Sequence, residues 1–129
     1  MTNYYLFVYG TLMQHHQHPM HQRLLTGSEF VCYGWITAQL YQIKNYPGAV
    51  LSDNETDKVY GELYRLTNAS LLAQLDDYEE CSAAFPEPHE YQRQQVDVFI
   101  DKAKPVKAWA YIYKHAVDPG KQIKTGRFK

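Results

Sequence analysis

Glu79 and Glu80 close a segment whose leucines recur at helical spacing, and their positions on that helix decide which chemistry each could do. On a wheel of about 100° per residue Leu71, Leu72, Leu75 and Tyr78 share one arc, and Glu79 falls inside it at about 80° from Leu71. Glu80 falls at about 180°, beside Asp76 and opposite the leucines. A carboxylate on the apolar side of a helix loses hydration, which raises its pKa and makes it usable as a general base and acid near neutrality. Asp76 and Glu80 are expected to keep their water. The competing reading is that Glu79 sits at a frayed helix end, reaches solvent and does nothing.

A second group of residues converges on Val8-Tyr9-Gly10-Thr11-Leu12. Glycine lets a chain turn sharply after a buried strand, and the backbone N–H groups of such a turn can hold a carboxylate or an oxyanion. Further along, strand alternation puts Trp109, Tyr111 and Tyr113 on one face and Ala108, Ala110 and Ile112 on the other, so the aromatic face could line a pocket. Arg93 could orient a substrate carboxylate with its planar fork, although a strand arginine more often serves in an ion pair. His15, His16, His18 and His21 include imidazoles three apart, as some zinc sites do. With no Cys or acidic ligand nearby, they read better as a solvated stretch, and no metal is expected.

These residues need elements to hold them. Tyr4 to Tyr9 is a β-branched and aromatic run that reads as a strand buried on both faces. A short helix is expected from Pro19 to Thr26, ended by Gly27. Phe30 to Gln42 reads as a strand bent at Gly34, and Tyr46-Pro47-Gly48 as a turn. Ala49 to Leu51 and Val59 to Leu66 follow as strands, with Gly61 a point of close approach by a second backbone or a ligand. Thr67 and Asn68 are N-cap residues for a helix over Ala69 to Glu80. Cys81 to Glu90 is a loop before two further strands, Tyr91 to Ile100 and Val106 to Lys114, and the tail after His115 is expected to be irregular.

Composition narrows the function classes. A chain of 129 residues has room for one domain, spanning residues 1–129. A net charge of −1 gives no global field to hold a phosphate backbone, so a nucleic-acid partner is not expected. No apolar run is long enough for a membrane span, and Cys32 and Cys81 are too few for a disulfide framework. A cytoplasmic, untargeted protein is the expectation. The 12 tyrosines favour aromatic strands around a polar cavity.

Taken in chain order, the Val8 to Leu12 loop, Tyr46-Pro47-Gly48-Ala49, Gly61-Glu62-Leu63-Tyr64, Leu75 to Cys81, Tyr91-Gln92-Arg93 and Ala108 to Tyr113 resemble the gamma-glutamylcyclotransferase-like superfamily. The similarity is greatest to its gamma-glutamylamine cyclotransferase branch and related small bacterial proteins. It covers nearly the whole chain; the His-rich stretch after Leu12 stands outside it. The resemblance implies an α+β fold in which a small, strongly curved mixed or antiparallel sheet, nearly a barrel, is flanked by two main helices. It also implies a catalytic acid and base at Glu79, and gamma-glutamyl binding at Tyr9, Gly10, Thr11 and Leu12. A tyrosine of the last strand, Tyr111 or Tyr113, is implied near the substrate. The expected activity is cofactor-free cleavage of a gamma-glutamyl amide to 5-oxoproline and an amine. The alternative is a protein of the same fold that binds a small carboxylate without turning it over.

Overall fold

The run Tyr-Leu-Phe-Val forms β1 (Tyr5–Val8), and Leu6, Phe7 and Val8 are buried on both of its faces, as its continuous apolar character requires. The computed structural model describes residues 5–10, 12–13, 19–68, 70–82, 84–101 and 104–129, with the backbone alone for residues 19, 20 and 23. β1 lies inside the sheet. It pairs antiparallel with β4 (Lys58–Leu66) and parallel with β6 (Val106–Tyr113). With β2 (Ser28–Gln42), β3 (Pro47–Leu51) and β5 (Tyr91–Val98), the strand order is β3-β2-β4-β1-β6-β5. The remaining neighbours are antiparallel, so the sheet is mixed.

Long β2 makes the sheet curl. Its register with β4 shifts between Phe30 and Cys32, a bulge that increases local twist. Further on, Trp35 and Phe99 exchange backbone hydrogen bonds of 2.9 and 2.8 Å, which join β2 to the chain leaving β5. The Tyr91 hydroxyl donates to Pro47 O at 2.6 Å, bringing β3 and β5 together from opposite ends of the strand order. The result is the near-barrel expected. Gly61 marks a tight passage between strands: a Cβ there would lie 2.2 Å from Val8 O, so the close approach is that of a second backbone.

Two helices flank the sheet. α1 (Pro19–Gly27) buries Leu24, and α2 (Ser70–Tyr78) buries Leu71 and Leu75 in the same core. Asn68 Oδ1 accepts the Ser70 N–H at 3.0 Å, the capping role its position predicts. α2 is shorter than Ala69 to Glu80, because its last turn is replaced by a chain reversal at Glu80.

The tail departs from expectation. It contains a 3-10 turn at Pro119–Lys121, Ile123 N–H donates to Leu40 O at 2.7 Å, and Gly126 O accepts the Tyr60 N–H at 2.8 Å. Phe128 is buried in the core cluster. Sparse periodicity in the tail hid a segment fixed by single backbone bonds and by Phe128, with Val117 and Ile123 packed against the core.

Candidate active site

Glu79 is delivered by the way α2 ends. Its N–H still donates to Leu75 O at 2.8 Å, continuing the helical pattern, but Glu80 N–H donates to Asp77 O at 3.1 Å and Cys81 N–H to Asp76 O at 2.9 Å. Together with φ 57° at Glu80, this is a Schellman ending, in which the residue after the helix takes the left-handed conformation. The chain turns away just after Glu79. Glu79 is thereby left half-buried against a cavity of about 370 Å³, whose wall includes Tyr9, Gly10, Leu12, Tyr46, Pro47, Glu90, Tyr91 and Tyr111.

Burial pushes the Glu79 carboxyl up from 4.5 to about 7, and the like charge of Glu90 adds to the effect. Near neutral pH both protonation forms are therefore present. Glu80 is exposed at the same wall. The helix wheel thus separated the two glutamates correctly. Asp76 is a correction to it: its carboxylate is mostly withdrawn from water and accepts hydrogen bonds from Arg93 and Tyr111. A wheel reports the angle on one helix and nothing of the strands that pack against it. Arg93 accordingly takes the ion-pair role, with its fork on Asp76.

The reason for glycine in the loop differs from the one expected. Tyr9, Gly10 and Leu12 border the cavity. Thr11 lies outside the described residues. Gly10 has no left-handed φ; a Cβ there would stand 3.0 Å from the Pro47 ring, so a side chain would crowd that ring. The Tyr9 hydroxyl donates to Tyr111 O at 2.7 Å and accepts the Ala49 N–H at 3.0 Å, and burial raises its pKa far above the usual range. The hydroxyl's proton and one of its lone pairs are thus used within the protein.

Of the two strand tyrosines, Tyr111 borders the cavity. Its hydroxyl donates to Asp76 at 2.7 Å. Tyr113 is buried against Gly48 and, in an edge-to-face arrangement, against Tyr91 with ring centroids 5.5 Å apart. It is not among the residues that line the cavity. Sequence reasoning missed Glu90 and Tyr46, joined by a 2.7 Å hydrogen bond from the tyrosine hydroxyl. Tyr46 carried its place in the Tyr46-Pro47-Gly48-Ala49 segment of the resemblance, and Glu90 only its position just before β5.

His21 is a packing residue. It is buried, its Nδ1 is 2.7 Å from Leu12 O, and its ring meets Tyr64 edge-on. His15, His16 and His18 lie outside the described residues, among which no group of three or more His, Cys, Asp or Glu could hold a metal. No helix among the described residues is long and apolar enough to cross a membrane. A second cavity of about 490 Å³, walled by Tyr33, Trp35, Tyr60 and buried Glu62, is larger. Lys58 and Arg127 already lie over the Trp35 and Tyr60 rings, and Tyr64 donates to Glu62. The chemistry collects in the first.

The model of the family described as Gamma-glutamyl cyclotransferase, AIG2-like, matches residues 6–129. The chain belongs to this family. Among members of the gamma-glutamyl cyclotransferase family, the family protein YtfP of Escherichia coli (strain K12) is 35% identical over 123 residues, covering 94% of this chain and 92% of the relative. The crystal structure of an AIG2-like protein from Mus musculus matches with a TM-score of 0.70 and 25% identity, over 93% of this chain and 82% of that one. The structure of protein PH0828 from Pyrococcus horikoshii matches with a TM-score of 0.69 and 25% identity, over 95% and 87%. The curled mixed sheet with two helices is thus the family's fold, and membership supports a gamma-glutamyl cyclotransferase-like activity on a small molecule.

Proposed function

We propose that this protein cleaves a gamma-glutamyl amide by attack of the substrate's own α-amine on its side-chain carbonyl, releasing 5-oxoproline and an amine. The observation that carries the reading is the Glu79 carboxyl, held at the wall of the same cavity as the Tyr9-Gly10 loop and raised to about 7. The attacking group belongs to the substrate. The protein's task is to fold the glutamyl chain toward a five-membered ring and to move protons, and intramolecular positioning of this kind can supply ~7 to 11 kcal/mol of the barrier.

In the proposed reaction, ionised Glu79 takes a proton from the α-ammonium, and the freed lone pair attacks the side-chain carbonyl carbon. Glu79, now an acid, gives a proton to the leaving nitrogen as the old C–N bond breaks. Two protons leave the α-nitrogen in all, and both end on the released amine as its ammonium form. Charge and atoms balance without cofactor or covalent enzyme intermediate. Tyr9, Gly10, Thr11 and Leu12 would hold the glutamyl group, with the Tyr111 ring closing one side of the cavity.

Product analysis tests the reading. 5-Oxoproline should be released directly from gamma-glutamyl amino acids, glutathione or gamma-glutamyl-lysine, with no free glutamate preceding it. Glu79→Gln should keep the fold and lower turnover by roughly 10² to 10⁴. An N-acetylated gamma-glutamyl amide, once shown to compete for the site, should be inert. Glutamate as the first product, or turnover of the acetylated compound, would mean that water attacks and would reject cyclisation.

A further inference from the structure

Asp76 and Arg93 meet fork to fork beside the end of α2. Arg93 Nε donates to Asp76 Oδ1 at 2.8 Å and its Nη2 to Oδ2 at 3.1 Å, while Oδ1 also accepts the Tyr111 hydroxyl at 2.7 Å. The pair is largely shielded, and the Arg93 guanidinium rests over the Trp109 ring at 4.5 Å from its centroid. Neither residue borders the cavity. Yet Asp76 holds the helix end twice, by its side chain to β5 and β6 and by its carbonyl, which accepts the Cys81 N–H that closes the turn after Glu79. A carboxylate in the last helical turn faces the negative end of the helix dipole, and the guanidinium offsets that repulsion. The network runs on to the loop, because Tyr111 O accepts the Tyr9 hydroxyl.

We propose that Asp76 and Arg93 are positioning residues for the reaction at Glu79: the bidentate pair clamps the end of α2 against β5 and β6, so that the turn at Glu80 presents the Glu79 carboxyl to the cavity. The proposal rests on the cyclotransferase reading for its catalytic consequence, and on the geometry alone for the placement of Glu79. Lysine keeps the charge at position 93 and loses the planar fork, so it should hold the clamp only in part.

Charges and titratable groups facing Glu79 are Glu90 before β5, Tyr91 on β5, Tyr9 after β1, and Cys81 beyond the turn. The Arg93 fork is engaged by Asp76 and does not border the cavity, so a substitution there should reach Glu79 through position. The test combines kinetics with a carbon-13 NMR titration of the Glu79 carboxyl in the full chain. Arg93→Gln should lower kcat by ~10- to 100-fold, the scale of a misplacement near 1 Å, with KM changed by no more than about twofold. Its Glu79 midpoint should move down toward that of an ordinary carboxylate. Arg93→Lys should recover part of both.

Undiminished kcat in folded Arg93→Gln, or a raised KM with kcat intact, overturns the proposal; the second result would make Arg93 a substrate contact. Should Arg93→Gln not fold, Arg93→Lys decides alone, since a normal kcat and an unmoved Glu79 midpoint would dismiss the clamp. A wild-type protein that releases no 5-oxoproline defeats the proposed function but not this inference. The titration then decides: a lowered midpoint in either variant supports the clamp, and an unmoved one overturns it.

Discussion

Glu79 owes its raised pKa first to burial and second to Glu90, and the two causes can be separated at a single residue. Glu90→Gln removes the like charge while its amide oxygen can still accept the Tyr46 hydroxyl, so the wall should keep its shape. With less repulsion Glu79 ionises more readily. If the ionised form is the base, the rising limb of kcat/KM against pH in free enzyme should move to lower pH, by a fraction of a unit because burial is the larger cause. A limb that stays in place, or moves up, would show that Glu90 does not act on the base. At this scale the sequence was informative about angle and silent about neighbours. Helical spacing separated Glu79 from Glu80, but it gave Asp76 to solvent, because Arg93 and Tyr111 reach it from strands far along the chain. Likewise Tyr111 and Tyr113 share one strand face, and what divides them is the packing of Tyr113 on Gly48 and Tyr91.

The element that sets the site is the end of α2, and its sequence runs against its geometry. Glu80 occupies the left-handed position, φ 57°, which most Schellman endings fill with glycine. A side chain there costs roughly 1 kcal/mol. Glu80→Gly should relieve that cost and stabilise the fold by about 1 kcal/mol, less the extra freedom glycine gives the unfolded chain. Urea denaturation checks this, since the midpoint should rise without change in slope. A lowered midpoint would mean that the Glu80 side chain contributes more than its backbone strain removes. The missing glycine also explains why the helix was expected to run to Glu80: without a glycine stop signal, the apolar period alone sets the boundary. Where local signals were present the boundaries were legible. Asn68 caps α2, Pro19 opens α1, and the β-branched and aromatic runs are strands. Closure of the sheet was not, because Trp35 with Phe99 and Tyr91 with Pro47 are contacts between distant segments whose pairing no local pattern encodes.

For the whole molecule, a carboxyl held out of water at a functional site makes stability depend on pH in a calculable direction. The Glu79 pKa is raised from 4.5 in the unfolded reference to about 7 in the fold. The folded state therefore binds the proton more tightly than the unfolded chain. The contribution from this group is fully present below about pH 4.5 and is lost as pH rises through about 7, after which it no longer changes. At about 1.4 kcal/mol per unit, the loss amounts to at most ~3.5 kcal/mol. Glu79→Gln has no such proton to lose. The difference in unfolding free energy between the variant and the wild type should therefore grow in favour of the variant between pH 4.5 and 7 and level off near pH 8. Taking the difference cancels every other titrating group that the two proteins share. If the two stability curves keep a constant separation across that range, Glu79 titrates alike in the folded and unfolded chains. Its carboxyl would then be in water, and the cavity would hold no group able to take and return a proton near neutrality.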